Sequence, residues 1–168
     1  MSTGPVYVLD SDVFMTAARS YYAFDLVPAF WDALVGNAIN GRLLSIDRVK
    51  AEIDKGNDRL KQWANNDFHR WFVSTTVGSV LQHYRAIMQW AVAQHHFTDA
   101  AKDEFADVTN ADPWLVAYAK ATNRTVVTNE KYDPNIRRRI KIPNVCEAFA
   151  VKYVDTFQML RALGIRLS

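Results

Sequence analysis

Residues 6–10 (VYVLD) constrain the fold most, because four apolar residues run directly into an acid. A short continuous apolar run with polar residues at its ends is typical of a strand buried on both faces, as in a parallel sheet. Ser11 and Asp12 then offer N-cap chemistry, and the residues after them can form a helix. We therefore expect Asp10 at the carboxyl end of a buried strand, where open α/β sheets bind their ligands.

Composition limits the class of protein. The chain has 168 residues, of which 49% are hydrophobic, and this suits the core of a single domain over residues 1–168. The net charge of +2 permits a nucleic-acid partner without requiring one. The single cysteine, Cys146, excludes an internal disulfide and indicates a reducing compartment. No apolar run reaches membrane-helix length and no signal peptide is recognised, so we expect a cytoplasmic protein with no membrane contact.

Strand and helix patterns alternate along the chain, with no repeat or long linker between them. After the first strand, further strands are predicted at 43–46, 71–73, 125–128 and 151–154. Helices are predicted after the first two strands and at 28–39, 60–64, 80–92, 112–123 and 156–163, whereas the acidic residues 102–107 should be solvated. This alternation predicts an α/β fold with a central, mostly parallel sheet flanked by helices on both faces.

Capping residues predict where two later helices begin. Asp47 can cap the helix that follows the second strand. Asp112 is the expected N-cap of the 112–123 helix, with Pro113 at its first helical position.

Four carboxylates fall at comparable places in this plan. Asp10 ends the first strand, and Glu52 lies on the helix after the second strand. Asp112 opens the helix that leads to the 125–128 strand, and Glu130 follows that strand. Carboxylates at close quarters repel one another, and some would be forced neutral without a cation. All-oxygen ligation favours Mg²⁺ or Mn²⁺, which can activate a water and stabilise the charge that develops on a phosphodiester.

Each of these acids also has a purely structural interpretation. Asp112 before Pro113 is typical of an ordinary helix start, and Glu52 and Glu130 are typical of exposed surface. Asp10 is the exception, because an acid at the end of a fully apolar strand is costly to bury without a function. The prediction of a site rests on all four acids together.

Further candidates lie beside these acids. Ser11 and Thr128 could orient a ligand or a water, and Asp12 adds a second negative charge next to Asp10. The one dense basic run, formed by Arg137, Arg138, Arg139 and Lys141, is either a solvated face or a clamp on RNA phosphates. Glycine-rich phosphate-binding loops and the serine-hydrolase elbow motif are absent from the sequence.

These segments, in this order, resemble the PIN-domain family of metal-dependent ribonucleases, which includes VapC-type toxins. The likeness is carried by VLDS at 8–11, VKAEI at 49–53, ADPWLVAYA at 111–119, VVTNE at 126–130 and KIPNVC at 141–146. The Val-Thr-x-Glu and Ile-Pro-x-Val-Cys segments are most similar to a PIN-like branch with little assigned function.

The resemblance implies a Rossmann-like PIN fold and an endoribonuclease that cleaves RNA by a metal-activated water. It implies that Mg²⁺ or Mn²⁺ is held by Asp10, Glu52, Asp112 and Glu130, which are then also the catalytic residues. It further implies a homodimer and a role as the toxin of a type II toxin–antitoxin pair, with a cognate antitoxin protein as partner. Glu130 stands where the family usually has aspartate, and Asp12 where many members have asparagine or serine.

Two alternatives remain open at this point. The sequence DSDV at 10–13 resembles the nucleophile motif of haloacid-dehalogenase-like phosphatases, in which Asp10 would be phosphorylated and Asp12 would act as acid and base. Those enzymes also need a later Gly-Asp-x-x-x-Asp motif, which is absent after Thr128. The second alternative is a non-catalytic RNA-binding or protein-interaction module on the same fold.

Overall fold

The structure, a computed structural model, describes residues 4–167. Within these residues each strand is followed by one to three helices, and a π-helical turn and a 3₁₀ turn lie among the first of them. The elements in chain order are β1 (Tyr7–Leu9), α1 (Ser11–Thr16), the π-helical turn (Ala17–Tyr21), α2 (Pro28–Ile39), β2 (Leu43–Ile46), α3 (Asp47–Asp54), α4 (Arg59–Asn66), the 3₁₀ turn (His69–Trp71), β3 (Phe72–Val73), α5 (Gly78–Ala93), α6 (Asp99–Ala106), α7 (Asp112–Thr122), β4 (Thr125–Val127), α8 (Ile142–Phe149), β5 (Tyr153–Val154) and α9 (Thr156–Ala162).

The five strands form one sheet in the order β3-β2-β1-β4-β5, and every neighbouring pair is parallel. β1 therefore lies at the centre, and the chain adds β2 and β3 on one side before it adds β4 and β5 on the other. The order of the strands reverses between β1 and β4, which is the switch point where α/β sheets open a ligand-binding crevice. Asp10 follows β1 at this point, and Thr128 follows β4.

Burial of the central strands shows that both faces of the sheet are covered. Tyr7, Val8 and Leu9 of β1 are all buried, although neighbouring side chains in a strand point to opposite faces. The residues of β4 are buried in the same way. Continuous apolar strands of this kind need helices on both sides, so the predicted α/β fold with a mostly parallel sheet is confirmed.

The predicted strands are all present, the third and fifth being only two residues long. Two helices differ from the prediction. The segment expected to be solvated belongs to α6, which buries Ala101 and Phe105. α8 was not predicted, because it is short, carries Pro143 in its first turn and ends at Ala150 in the left-handed conformation instead of at a glycine.

The N-caps predicted for α1 and α3 are wrong. The N-cap of α1 is Asp10 itself, whose carboxylate accepts the backbone N–H of Ser11, so neither Ser11 nor Asp12 caps this helix. Asp47 is the first residue of α3 rather than its cap, and its carboxylate accepts both the backbone N–H and the hydroxyl of Thr75. At Asp47 the hydrogen bonds from Thr75, a residue distant in the sequence, take the place of the local capping bond. Within residues 4–167, the helices fall short of the length and apolarity needed to cross a bilayer.

Candidate active site

Asp10 lies at the bottom of the crevice where β1 meets β4. Its backbone N–H donates to the carbonyl of Val127 at 2.9 Å, which extends the strand pairing by one residue. Its carboxylate accepts the Ser11 N–H at 2.7 Å through Oδ1 and the Thr128 hydroxyl at 2.9 Å through Oδ2. The residue is 3% exposed, and this burial raises its pKa well above the ordinary aspartate value. The nearby charges of Asp12, Asp112 and Glu130 raise that pKa further.

Asp12 shares the Thr128 hydroxyl with Asp10. Its carboxylate accepts the backbone N–H of Asn129 at 3.1 Å and lies 3.4 Å from Thr128 Oγ1. Burial raises the pKa of Asp12, and the bond from Asn129 lowers it. Asp12 therefore belongs to the same carboxylate group, and its partners are the two residues that follow β4.

Asp112 is not the N-cap that the sequence indicates. α7 begins at Asp112, and Ala111 occupies the N-cap position without a side-chain capping bond. Burial is the main reason that the pKa of Asp112 is raised to about 7, and the charges of Glu130 and Glu52 add to the shift. The prediction that Asp112 is an N-cap with Pro113 first in the helix is therefore wrong, and the electrostatic surroundings of Asp112 are those of a clustered carboxylate.

Glu52 and Glu130 reach the site from opposite sides. Glu52 Oε1 on α3 accepts the backbone N–H of Ala111 at 3.3 Å, and this bond ties α3 to the start of α7. Glu130 Oε1 accepts the backbone N–H of Ile142, the first residue of α8, at 3.0 Å. Neither carboxylate is therefore an ordinary exposed surface group, because each one satisfies a backbone donor at a helix start.

Arg139 supplies the positive charge of this site. Its guanidinium donates to Glu130 Oε2 at 2.8 Å and lies 3.9 Å from Asp112 Oδ2. Arg139 also lowers the pKa of Asp112, but this effect is smaller than the shift from burial and from the neighbouring acids. Arg139 was predicted to contact RNA phosphates together with Arg137, Arg138 and Lys141. In the structure Arg139 is instead engaged by the carboxylates.

The structure thus gathers the four predicted acids and Asp12 around the carboxyl ends of β1 and β4. Within the part of the chain that the structure describes, however, no three His, Cys, Asp or Glu side chains are set as a ready metal-binding group. The donors are all carboxylate oxygens, the ligand type that Mg²⁺ and Mn²⁺ prefer. Burial strengthens the repulsion among these carboxylates, and Arg139 relieves part of it. The chemistry of the donors therefore fits a divalent cation, but the spacing of the carboxylates does not form a ligand set.

Sequence reasoning did not foresee the roles of Arg139 and Asn129. Arg139 is nine residues from Glu130 in the chain, and only the path of the 131–141 segment brings their side chains together. Asn129 lies between Thr128 and Glu130, and an asparagine in the loop after a strand is a common site of side-chain-to-backbone bonding, which is the signal that could have indicated its role. Its Oδ1 accepts the N–H and the hydroxyl of Thr156, which joins the site to α9.

Comparisons with solved structures identify the fold. VapBC2 from Rickettsia felis, solved bound to a DNA fragment from their promoter, is similar at 14% identity and a TM-score of 0.52, over 89% of this chain and 98% of that one. FitAcB from Neisseria gonorrhoeae is similar at 17% identity and a TM-score of 0.51, over 88% of this chain and 96% of that one. At such identities the likeness shows the fold alone, and it confirms the PIN-type fold predicted from the sequence.

Sequence comparison identifies the family. No curated protein matches the chain. The family profile described as "Domain of unknown function (DUF4411)" matches residues 7–167, from the first residue of β1 to the last residue that the structure describes. Since this match spans almost the whole sequence, the protein belongs to the DUF4411 family.

Proposed function

We propose that the protein is a Mg²⁺- or Mn²⁺-dependent endoribonuclease that acts in the cytoplasm as the toxin of a type II toxin–antitoxin pair. The observation that carries the proposal is the convergence of Asp10, Asp12, Asp112 and Glu130 at one edge of the sheet, where the charges of the neighbouring acids raise the pKa of Asp10 and of Asp112. Such a cluster is expensive in a protein that only needs to fold, and it is typical of a site that receives a cation.

The chain's own residues have distinct tasks in this proposal. Asp10, Glu52, Asp112 and Glu130 would hold the cation, whose chemistry is to activate a water and to stabilise the charge that develops on the cleaved phosphodiester. Thr128 orients Asp10 and Asp12 through its hydroxyl, and Ser11 orients Asp10 through its backbone N–H. Supporting bonds of this kind set the direction of carboxylate oxygens toward a ligand.

The phosphatase alternative is disfavoured by the sequence. Those enzymes need a later Gly-Asp-x-x-x-Asp motif, which is absent after Thr128, and Glu52 would have no role in them. The non-catalytic alternative is separated from the nuclease by the dependence of cleavage on metal.

Removal of divalent metal is expected to abolish cleavage of a mixed RNA pool. Incubation with EDTA should stop the reaction, and addition of excess Mn²⁺ should restore it, because carboxylates alone cannot lower the pKa of a water to a useful range. Gel analysis of the RNA and mapping of 5′-phosphate ends measure the result. Cleavage that continues in EDTA would rule out the metal-dependent mechanism, and no cleavage in any divalent metal would favour a binding module.

The basic residues of the 137–141 segment other than Arg139 are proposed to contact RNA phosphates; Arg137 and Arg138 are exposed, and Lys141 is half-buried. Replacing Arg137, Arg138 and Lys141 by glutamine should flatten the salt dependence of RNA binding by a slope of about 0.7 for each lost contact. Arg139 is left unchanged in this variant, because it is paired with Glu130 and Asp112. Fluorescence anisotropy with a single-stranded RNA across a series of salt concentrations measures the slope.

A variant with the same change in net charge provides the control for this experiment. Arg42, Lys55 and Arg85 are exposed and lie outside the 137–141 segment, so their replacement by glutamine removes three positive charges elsewhere. The control variant should keep a slope close to that of the wild type. Equal slopes of RNA binding against salt concentration for the two variants would mean that the 137–141 segment is a solvated surface that does not contact RNA phosphates.

We also propose a homodimer and an antitoxin partner, on the strength of the family resemblance and of the fold shared with VapBC2 and FitAcB. The tagged chain, isolated from its native host, should carry a second protein that suppresses RNA cleavage when added back. Light scattering on the purified chain alone should give twice the monomer mass. Recovery of the chain without an inhibitory protein would contradict the first part, and a monomer mass would contradict the second.

A further inference from the structure

A second cavity lies next to the carboxylate site and has a different character. It encloses about 220 Å³, and its walls come from the π-helical turn, from the start of α9 and from the segment after β4. With about 30 Å³ for each water, the space corresponds to about seven water molecules, less than a drug-sized pocket offers. A single planar ring system is the size of ligand that such a cavity can enclose.

Two exposed aromatic rings stand at the cavity. Tyr21 is 62% exposed, and Phe157 is 45% exposed. Their ring centroids are 6.1 Å apart at 74°, in an edge-to-face arrangement. Exposure of two aromatic rings to water costs free energy, which a ligand that covers them would recover. A flat ligand suits this pair of rings, because it can contact the face of one ring and the edge of the other.

The local backbone directs Tyr21 outward. The N–H of Tyr22 bonds to the carbonyl of Ala17, five residues back, and this π turn shifts the residues after it from their α-helical positions. The ring of Tyr22 is stacked on Phe30 with centroids 4.4 Å apart, and its carbonyl accepts the indole N–H of Trp31. Tyr22 therefore anchors the turn in the core, which leaves Tyr21 at the surface with no comparable packing task.

Polar residues that line the cavity connect it to the carboxylate site. Asn129 lines the cavity, and its backbone N–H bonds to Asp12 while its Oδ1 is bonded to Thr156. Within residues 4–167 its Nδ2 donates no hydrogen bond, so both N–H groups of the amide remain for a ligand. Lys131 is exposed, lines the cavity and directly follows Glu130 in the sequence, so the cavity has a positive charge one residue away from the proposed site.

We propose that this cavity binds one unstacked nucleobase of a single-stranded RNA, next to the phosphodiester at the carboxylate site. The inference rests on the proposed ribonuclease function and specifies its substrate as a strand with a splayed-out base. Single-stranded RNA is recognised by stacking bases on aromatic side chains and by hydrogen bonds to base edges. Tyr21 and Phe157 supply the rings, Asn129 supplies an edge donor, and Lys131 supplies a charge for the adjoining phosphate. The amide of Asn129, the carboxylate of Asp155 and the cation of Lys131 all line the cavity, and polar groups of both kinds favour a base, whose edge carries donors and acceptors, over an apolar peptide side chain.

The test measures binding without cleavage, so it does not depend on catalysis. The probes are a short labelled oligouridylate and an abasic strand with the same number of phosphates, both in EDTA at one salt concentration. Tyr21→Ala and Phe157→Ala should weaken oligouridylate binding by about 5- to 100-fold each and should leave the abasic strand unaffected. Tyr21→Phe and Phe157→Tyr should keep the wild-type affinity, because they keep the rings.

Tyr132→Ala is the matched control, since Tyr132 is 47% exposed and does not line the cavity. It should bind oligouridylate as the wild type does. The proposal is overturned if the alanine variants bind oligouridylate normally, or if both strands weaken equally. Normal RNA binding combined with loss of an inhibitory protein partner would overturn it in favour of a peptide site. A wild-type protein that discriminates between the two strands but cleaves no RNA with Mn²⁺ would contradict the ribonuclease function alone.

Discussion

Asp10→Asn is expected to abolish RNA cleavage while making the metal-free protein more stable. Loss of a partner that only orients a metal ligand costs about 10- to 100-fold. Loss of Asp10, the most buried of the proposed ligands, should therefore lower the cleavage rate by more than about 100-fold. Asparagine can still accept the Ser11 N–H, and it removes a charge that is buried beside Asp12, Asp112 and Glu130. The melting temperature in EDTA should therefore rise, and the Mn²⁺ affinity from titration should fall.

Thr128→Val, measured in the same experiment, distinguishes a residue that orients Asp10 from Asp10 itself as a proposed metal ligand. The hydroxyl of Thr128 donates to Asp10 Oδ2, and it also accepts the N–H of Glu130 at 3.2 Å. Its loss should cost about 10- to 100-fold in cleavage, less than the loss of Asp10, and should leave the buried charge in place. The melting temperature in EDTA should then fall instead of rising. An active Asp10→Asn variant would remove Asp10 from the proposed site altogether.

Asp112→Asn and Asp112→Ala are both expected to abolish cleavage and to weaken Mn²⁺ binding. Because Asp112 makes no capping bond, the two variants should melt within a few degrees of each other without metal. Asp58 is the matched control, since it is a true N-cap that accepts the Lys61 N–H at 3.1 Å. There, alanine should cost about 0.5–2 kcal/mol while asparagine is nearly neutral. A large gap between the two Asp112 variants would mean that Asp112 stabilises the helix start after all.

The pH dependence of stability gives a second measurement on Asp112. Its pKa is raised to about 7 from an ordinary value of 3.8, so folding favours the protonated form. The stability that this residue contributes is present at low pH and is lost as the pH rises through about 7. In EDTA the wild type should therefore melt at a higher temperature at pH 5 than at pH 8, and Asp112→Asn should reduce this difference. Equal dependence of the melting temperature on pH for the wild type and Asp112→Asn would contradict the interpretation of Asp112 as a clustered carboxylate with a raised pKa.

The sequence determined the layers of the fold and the edge of the sheet at which the acids lie. Unbroken apolar runs such as residues 6–9 are typical of strands covered on both faces, and this is a local property of the sequence. A polar residue at the end of such a run, as at Asp10 or Thr128, necessarily falls at the carboxyl edge of a parallel sheet. α8 escaped prediction, because its helical state depends on burial of Ile142, Val145 and Cys146 rather than on a long periodic pattern.

Only the tertiary structure decided the partners of each charge. Glu52 bonds to Ala111 across 59 positions of chain, and Thr128 bonds to Asp10 across 118. Distances of a few ångströms between distant segments decide which acids repel one another. They also decide that Arg139, rather than its neighbours in the sequence, relieves this repulsion. Electrostatic energies change steeply over such distances when water is excluded. The residue types therefore predicted a charged site, whereas the packing set its pKa values and brought Arg139 to it as a cationic partner.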